Sequence, residues 1–175
     1  MGGEEAEASL RFTASRLSEE DRDSLSQLPE TCVLEIDGLG ETLFCHASPR
    51  NDLDIVTPGT PEPRFATLLE GVPQRVVVAG HTHMQDDREV EGRRWINPGS
   101  VGMPYEGEVA AFWAILGPDV ELRRTPFDVE RSAAALLASG WPEAQSFVDE
   151  NVRAAVARAD AIELFEQIAA EGGER

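Results

Sequence analysis

An α/β fold is the class this sequence predicts, on three observations. Val76-Val77-Val78-Ala79 is an apolar, β-branched run of the kind found in buried strands, and Gly80 lets the chain turn sharply at its end. Two further stretches, 31–46 and 87–97, carry the glycine-centred pattern of hairpins. The C-terminal third then changes to helical periodicity, dominated by Ala and Leu.

Taken in order, residues 1–15 read as a flexible acidic end beginning Met1-Gly2-Gly3-Glu4-Glu5. Ser18 then caps a helix whose first turn, Glu19-Glu20-Asp21, favours the positive end of the helix dipole, and Pro29 stops it. Strands are expected over 31–37 and 41–46, joined by Gly38-Leu39 in a type II′ turn. A two-residue loop there sets Cys32 directly opposite Cys45, as neighbouring thiols that stay reduced. The stretch 48–63 is rich in Pro, Asp and Thr and reads as a long irregular loop, followed by a short helix over 63–70. Strand 75–79 precedes a hairpin of 87–91 and 93–97 around Gly92, and Asn97-Pro98-Gly99-Ser100-Val101-Gly102 follows as a loop. Strands 110–116 and 120–125 read as an antiparallel pair around Gly117-Pro118-Asp119. Helices over 128–139, 142–153 and 154–170 complete the chain as a cover that carries no chemical motif. The expected partition is a flexible end at 1–15, an α/β domain at 16–140 and C-terminal helices at 141–175.

All three histidines stand just past the ends of apolar strands: His46 after Thr42-Leu43-Phe44-Cys45, and His81 and His83 after Gly80. In open α/β sheets ligands bind at such ends. Imidazole nitrogen is a common metal ligand, and two so close repel when both are protonated, a conflict that a metal resolves. Solvated loop histidines, and for His46 a satisfied buried histidine, are the bland alternatives.

Composition narrows the classes further. The 175 residues carry 15 basic and 33 acidic side chains, a net charge of -18, which argues against nucleic acid as a bulk electrostatic partner. An anionic substrate would need a local positive centre, which bound divalent ions supply. No leader pattern and no membrane-length apolar run appears, so a soluble, cytoplasmic protein is expected. There is neither a Walker loop nor a dinucleotide fingerprint, and Pro98 stands where a Gly-x-Ser-x-Gly elbow around Ser100 needs glycine.

His46, Gly80-His81-Thr82-His83 and Asn97-Pro98-Gly99-Ser100-Val101-Gly102, in this order, resemble the calcineurin-like metallophosphoesterase superfamily, especially its small bacterial phosphodiesterase branch. The resemblance covers roughly residues 16 to 140. It implies the C-terminal part of a four-layer α/β/β/α sandwich with two divalent ions (Mn, Zn, Fe or Ni) at the strand ends. It further implies that His46 and His81 bind the second metal and His83 the first. The implied activity is hydrolysis of a phosphodiester or phosphomonoester by a two-metal-activated hydroxide, on a small substrate. Ala47 replaces the usual glycine after the first histidine.

The larger departure is an absence. The chain has no Asp-x-His, Gly-Asp or Gly-Asn segment, so the bridging aspartate, the asparagine ligand and the histidine that protonates the leaving group are missing. The expectation is therefore a truncated form, a misplaced start or a remnant, with weak metal binding and little or no turnover. Asp52, Asp54, Asp86 and Asp87 are stand-in oxygen ligands or solvated carboxylates. Arg50 is a candidate substrate contact or a surface ion pair. Asn97 and Ser100 either orient the histidine loop or merely shape a turn. Two rival readings are a non-catalytic interaction module of the same fold and a single zinc held by three histidines and one aspartate. Absent first strands would leave sheet edges and apolar faces open, so a homo-oligomer is also expected.

Overall fold

The computed structural model describes residues 3–172 and divides into two compact units. One comprises Met1–Pro29 with Asp128–Ala154, the other Glu30–Phe127 with Ala155–Arg175. The breaks between the units fall near residues 29, 127 and 154, not at the expected 15 and 140. The C-terminal helices are thus shared between the units.

In the first unit, helix α1 spans Gly3–Arg16 and α2 spans Glu19–Ser26. The expected flexible end is thus helical, apart from residues 1 and 2, which lie outside the described residues. Ala, Glu, Leu and Arg are strong helix formers, Glu7 pairs with Arg11 one turn on, and the Trp141 indole donates to Ser9 Oγ at 2.8 Å. Ser18 and Asp21 form a reciprocal capping box at the start of α2. Helix α4 (Val129–Ala138) is followed by α5 (Ala144–Phe147), which runs on as a π-helical turn over Val148–Val152. Ala133, Val148 and Val152 are the core of this unit.

In the second unit, strands β1 (Thr31–Ile36), β2 (Gly40–Cys45), β3 (Val76–Val78), β4 (Gln85–Val90) and β5 (Arg93–Pro98) form one sheet in the order β1-β2-β3-β5-β4. Strands β6 (Ala111–Leu116) and β7 (Val120–Thr125) form a second sheet. β2, β3 and β5 are mutually parallel, so their C-terminal ends, and the histidines beyond them, gather at one edge. Alternation divides the core in two. Leu43, Val77 and Trp95 face helix α3 (Glu62–Leu68), with Phe65, Leu68, Leu69 and Val72, whereas Phe44, Val76, Val78 and Ile96 face Leu116, Val120 and Leu122 of the small sheet. Helix, large sheet and small sheet therefore stack as an α/β/β part of the expected sandwich. Helix α6 (Arg158–Gly172) closes the described chain. No helix among the described residues is long and apolar enough to cross a membrane.

The β1–β2 register is one residue from the expected one. Thr31 pairs with Cys45 and Cys32 with Phe44, so the thiols lie on opposite faces of the sheet, both free. The loop holds three residues, and Gly38 in it has φ +75 with its Cα against the Pro118 backbone, where a Cβ would stand 2.0 Å from the carbonyl oxygen. Burial pushes the Cys45 thiol up to about 12. On the edge strand β1, Val33 and Leu34 remain 44% and 49% exposed.

Candidate metal centre

Backbone hydrogen bonds draw the strand ends together. The Gly80 N–H donates to the His46 carbonyl at 2.7 Å, and the Thr82 N–H returns to the Gly80 carbonyl at 2.8 Å. That second bond closes a three-residue turn centred on His81, whose φ of +67 puts it in the strained γ class. His83 also has a positive φ, +57. Non-glycine residues seldom adopt this conformation, and such strain clusters at functional sites. The His81 ring thereby meets His46, while the His83 ring lies against Met103 and Tyr105.

His46 Nε2 and His81 Nδ1 approach to 3.1 Å. Only one of these nitrogens can carry a proton in such a contact. The spacing also fits two ligands of one ion, each at about 2.1 Å. His83 Nδ1 stands 3.0 Å from the Met103 carbonyl. A carbonyl only accepts, so Nδ1 carries the proton and Nε2 keeps its lone pair, the state in which histidines bind metal. Tyr105 stacks on the same ring, with centroids 5.6 Å apart and planes at 25°.

Asn97, buried to 1% exposure, holds the histidine loop. Its Nδ2 donates to the Gly80 carbonyl at 2.9 Å and to Thr82 Oγ1 at 3.2 Å, and its Oδ1 accepts the Gly99 N–H at 3.0 Å. Ser100 Oγ accepts the Met103 N–H at 3.0 Å, setting the carbonyl that holds His83. Thr82 Oγ1 donates to the Val56 carbonyl at 2.7 Å, tying in the long loop. Within that loop Ser48 donates to Asp54 at 2.5 Å and accepts the Arg50 N–H, while the Arg50 side chain is exposed and forms no ion pair among the described residues.

The other carboxylates divide by partner. Asp87 is bound by Arg94 at 2.7 and 2.8 Å, and Asp86 stands 3.1 Å from Arg88, its proton affinity raised mainly by burial. Both are structural. Asp52 and Asp54 lie near enough to His81 to favour its charged form. Even so, among the described residues no group of three or more His, Cys, Asp or Glu side chains is placed to hold an ion. The three-histidine, one-aspartate zinc is therefore not assembled among the described residues, where Asp54 is taken by Ser48. The His46–His81 pair fits part of a donor set, which the described residues do not extend to three such ligands.

Burial, then the neighbouring His46 and His83, hold the His81 imidazole below the usual value of 6.5. Unfolded, the ring binds protons more readily than in the fold, so stability rises with pH. The contribution of His81 is whole above about pH 6.5 and is lost as pH falls toward the lower folded value. Thermal melting of the metal-free chain is expected to occur at lower temperature at pH 5.5 than at 7.5, with the drop reduced in His81→Gln.

Sequence reasoning missed Met103, Tyr105 and the part played by α6. Tyr105 is the only tyrosine of the chain and follows the 97–102 motif closely, which is the one signal the sequence carried.

The family model for the calcineurin-like phosphoesterase superfamily domain matches residues 14–116. A hypothetical protein of Pyrococcus horikoshii, PH1004, superposes with a TM-score of 0.68 at 24% identity, over 81% of this chain and 58% of its own. A metallophosphoesterase of Sphaerobacter thermophilus does so with a TM-score of 0.61 at 25% identity, over 80% of this chain and 63% of its own. The chain thus spans less than two thirds of either structure. No curated protein matches it significantly.

Proposed function

We propose, for a chain that belongs to the calcineurin-like phosphoesterase superfamily, that it supplies three imidazoles to a two-metal site for hydrolysing phosphate esters. The observation that carries this reading is the 3.1 Å convergence of His46 and His81 at the ends of parallel strands. His46 and His81 would hold one ion, and His83 the other through Nε2. Manganese, zinc, iron and nickel all suit such donors. Divalent ions, when bound, lower the pKa of water and neutralise charge on the phosphoryl oxygens.

The chain's own residues do the positioning. Strain at His81 and His83, and the bonds from Asn97 and Met103, preset ring direction and protonation state before any ion arrives. Arg50, exposed beside the Ser48 turn, is our candidate for drawing a small anionic ester toward a chain of charge -18. A cytoplasmic location belongs to the same proposal.

The remaining donors are expected from a segment bearing Asp-x-His, Gly-Asp and Gly-Asn-His-Asp motifs. The test compares metal content, by elemental mass spectrometry, and phosphodiester turnover with manganese for two proteins: this chain, and this chain preceded by such a segment. Little metal and little turnover are expected from the first, and two ions with turnover from the second. Two ions and turnover from the short chain would refute the partial donor set. Neither in the longer one would refute the phosphoesterase. The second reading, an interaction module assembling with copies of itself, is favoured by the exposed Val33 and Leu34 on edge strand β1.

A further inference from the structure

Helix α6 lies beyond residues 14–116, the stretch the family matches, yet its side chains reach three segments that border the histidines. At its first turn Arg158 donates to the Gln85 carbonyl at 2.7 Å and to Glu106, whose other oxygen accepts the Gln85 N–H. Two turns on, the Phe165 ring lies 5.7 Å from that of Tyr105, the residue stacked on His83. The next residue, Glu166, accepts from the Thr57 and Thr60 hydroxyls at 2.6 and 2.8 Å and pairs with Arg64 at 2.9 Å. The helix is thereby pinned on either side of Phe165.

A histidine ring held by one hydrogen bond can still rotate, because its terminal torsion is broad. The Met103 carbonyl fixes the Nδ1 direction of His83, but the plane of the ring needs a second contact. Tyr105 supplies it, and Phe165 in turn lies against Tyr105, the two rings tilted at 48°. We propose that α6 is a strap that sets the plane of the His83 ring, with Phe165 as a positioning residue acting through Tyr105. The reading above bears on this only in what the ring is for, since its orientation can be measured without metal.

The test uses the full metal-free chain at pH 8, where imidazoles are neutral, and reads the ring proton signals of the three histidines by NMR alongside helix content by circular dichroism. The variants are Phe165→Leu, which removes the ring but keeps apolar volume, and Phe165→Tyr, which keeps the ring. Stacking on Tyr105 should displace the His83 ring signals upfield in the unmodified chain. Phe165→Leu is expected to lose that displacement, leave His46, His81 and helix content unchanged, and be rescued by Phe165→Tyr. Unchanged His83 signals in Phe165→Leu would overturn the proposal. So would loss of helix content with all three histidines moving together, which would make Phe165 a purely structural residue.

Discussion

Asn97→Ala is expected to loosen the Gly80–Gly99 region and weaken metal binding by about 10- to 100-fold, the usual effect of losing a partner behind a ligand. Three hydrogen bonds leave with the amide: the Gly99 N–H loses its partner, and the Gly80 carbonyl keeps only the Thr82 N–H, in a site where Asn97 is 1% exposed. A buried backbone group so orphaned costs about 1–3 kcal/mol. The strained His81 turn depends on its neighbours to hold it, and without Asn97 the ring should drift from His46. Urea unfolding and zinc titration of the longer protein, side by side, separate the two effects. Lost stability with unchanged affinity would show that Asn97 supports the fold and not the ligands.

Trp95→Ala is expected to cost about 3–5 kcal/mol, a large part of the 5–15 kcal/mol that typically holds a domain together. Trp95 is 1% exposed and meets Phe65 edge to face at 5.1 Å and 81°, while the Arg88 guanidinium lies 4.4 Å from the Phe65 ring. Removing the indole empties the space between β5 and α3, which a short helix tied at both ends cannot refill. Trp95→Phe should cost far less, because the indole N–H has no partner among the described residues and its loss orphans nothing. A urea midpoint that barely moves in Trp95→Ala would mean that α3 does not rest on this ring.

Strands β1, β2, β3 and β5 were legible from their apolar and β-branched residues, whereas β4, polar up to Val90, was read from the turn at Gly92 and two residues short at its start; these are local features that act without help from the rest of the chain. The Glu91-Gly92 turn, both residues at positive φ, is such a case. The β1–β2 register was not legible in the same way. Two-residue and three-residue loops around Gly38 satisfy local turn chemistry equally, and the choice falls with the approach of Gly38 to Pro118, eighty residues on. The N-terminal helix is similar. Its propensity was visible in Ala, Glu, Leu and Arg, but its tie to Trp141 is a contact no local window contains.

The sequence by itself determined which side chains stand at the strand ends, and so the kind of chemistry available, because strand periodicity and the turn at Gly80 are local properties. Only the tertiary structure decided how those side chains meet. The His46–His81 approach, the Met103 carbonyl on His83, the Tyr105 stack and the reach of α6 to Gln85, Tyr105 and Thr57 all join residues far apart in the chain. Distances between such residues follow from the packing of whole elements, and no motif spacing encodes them.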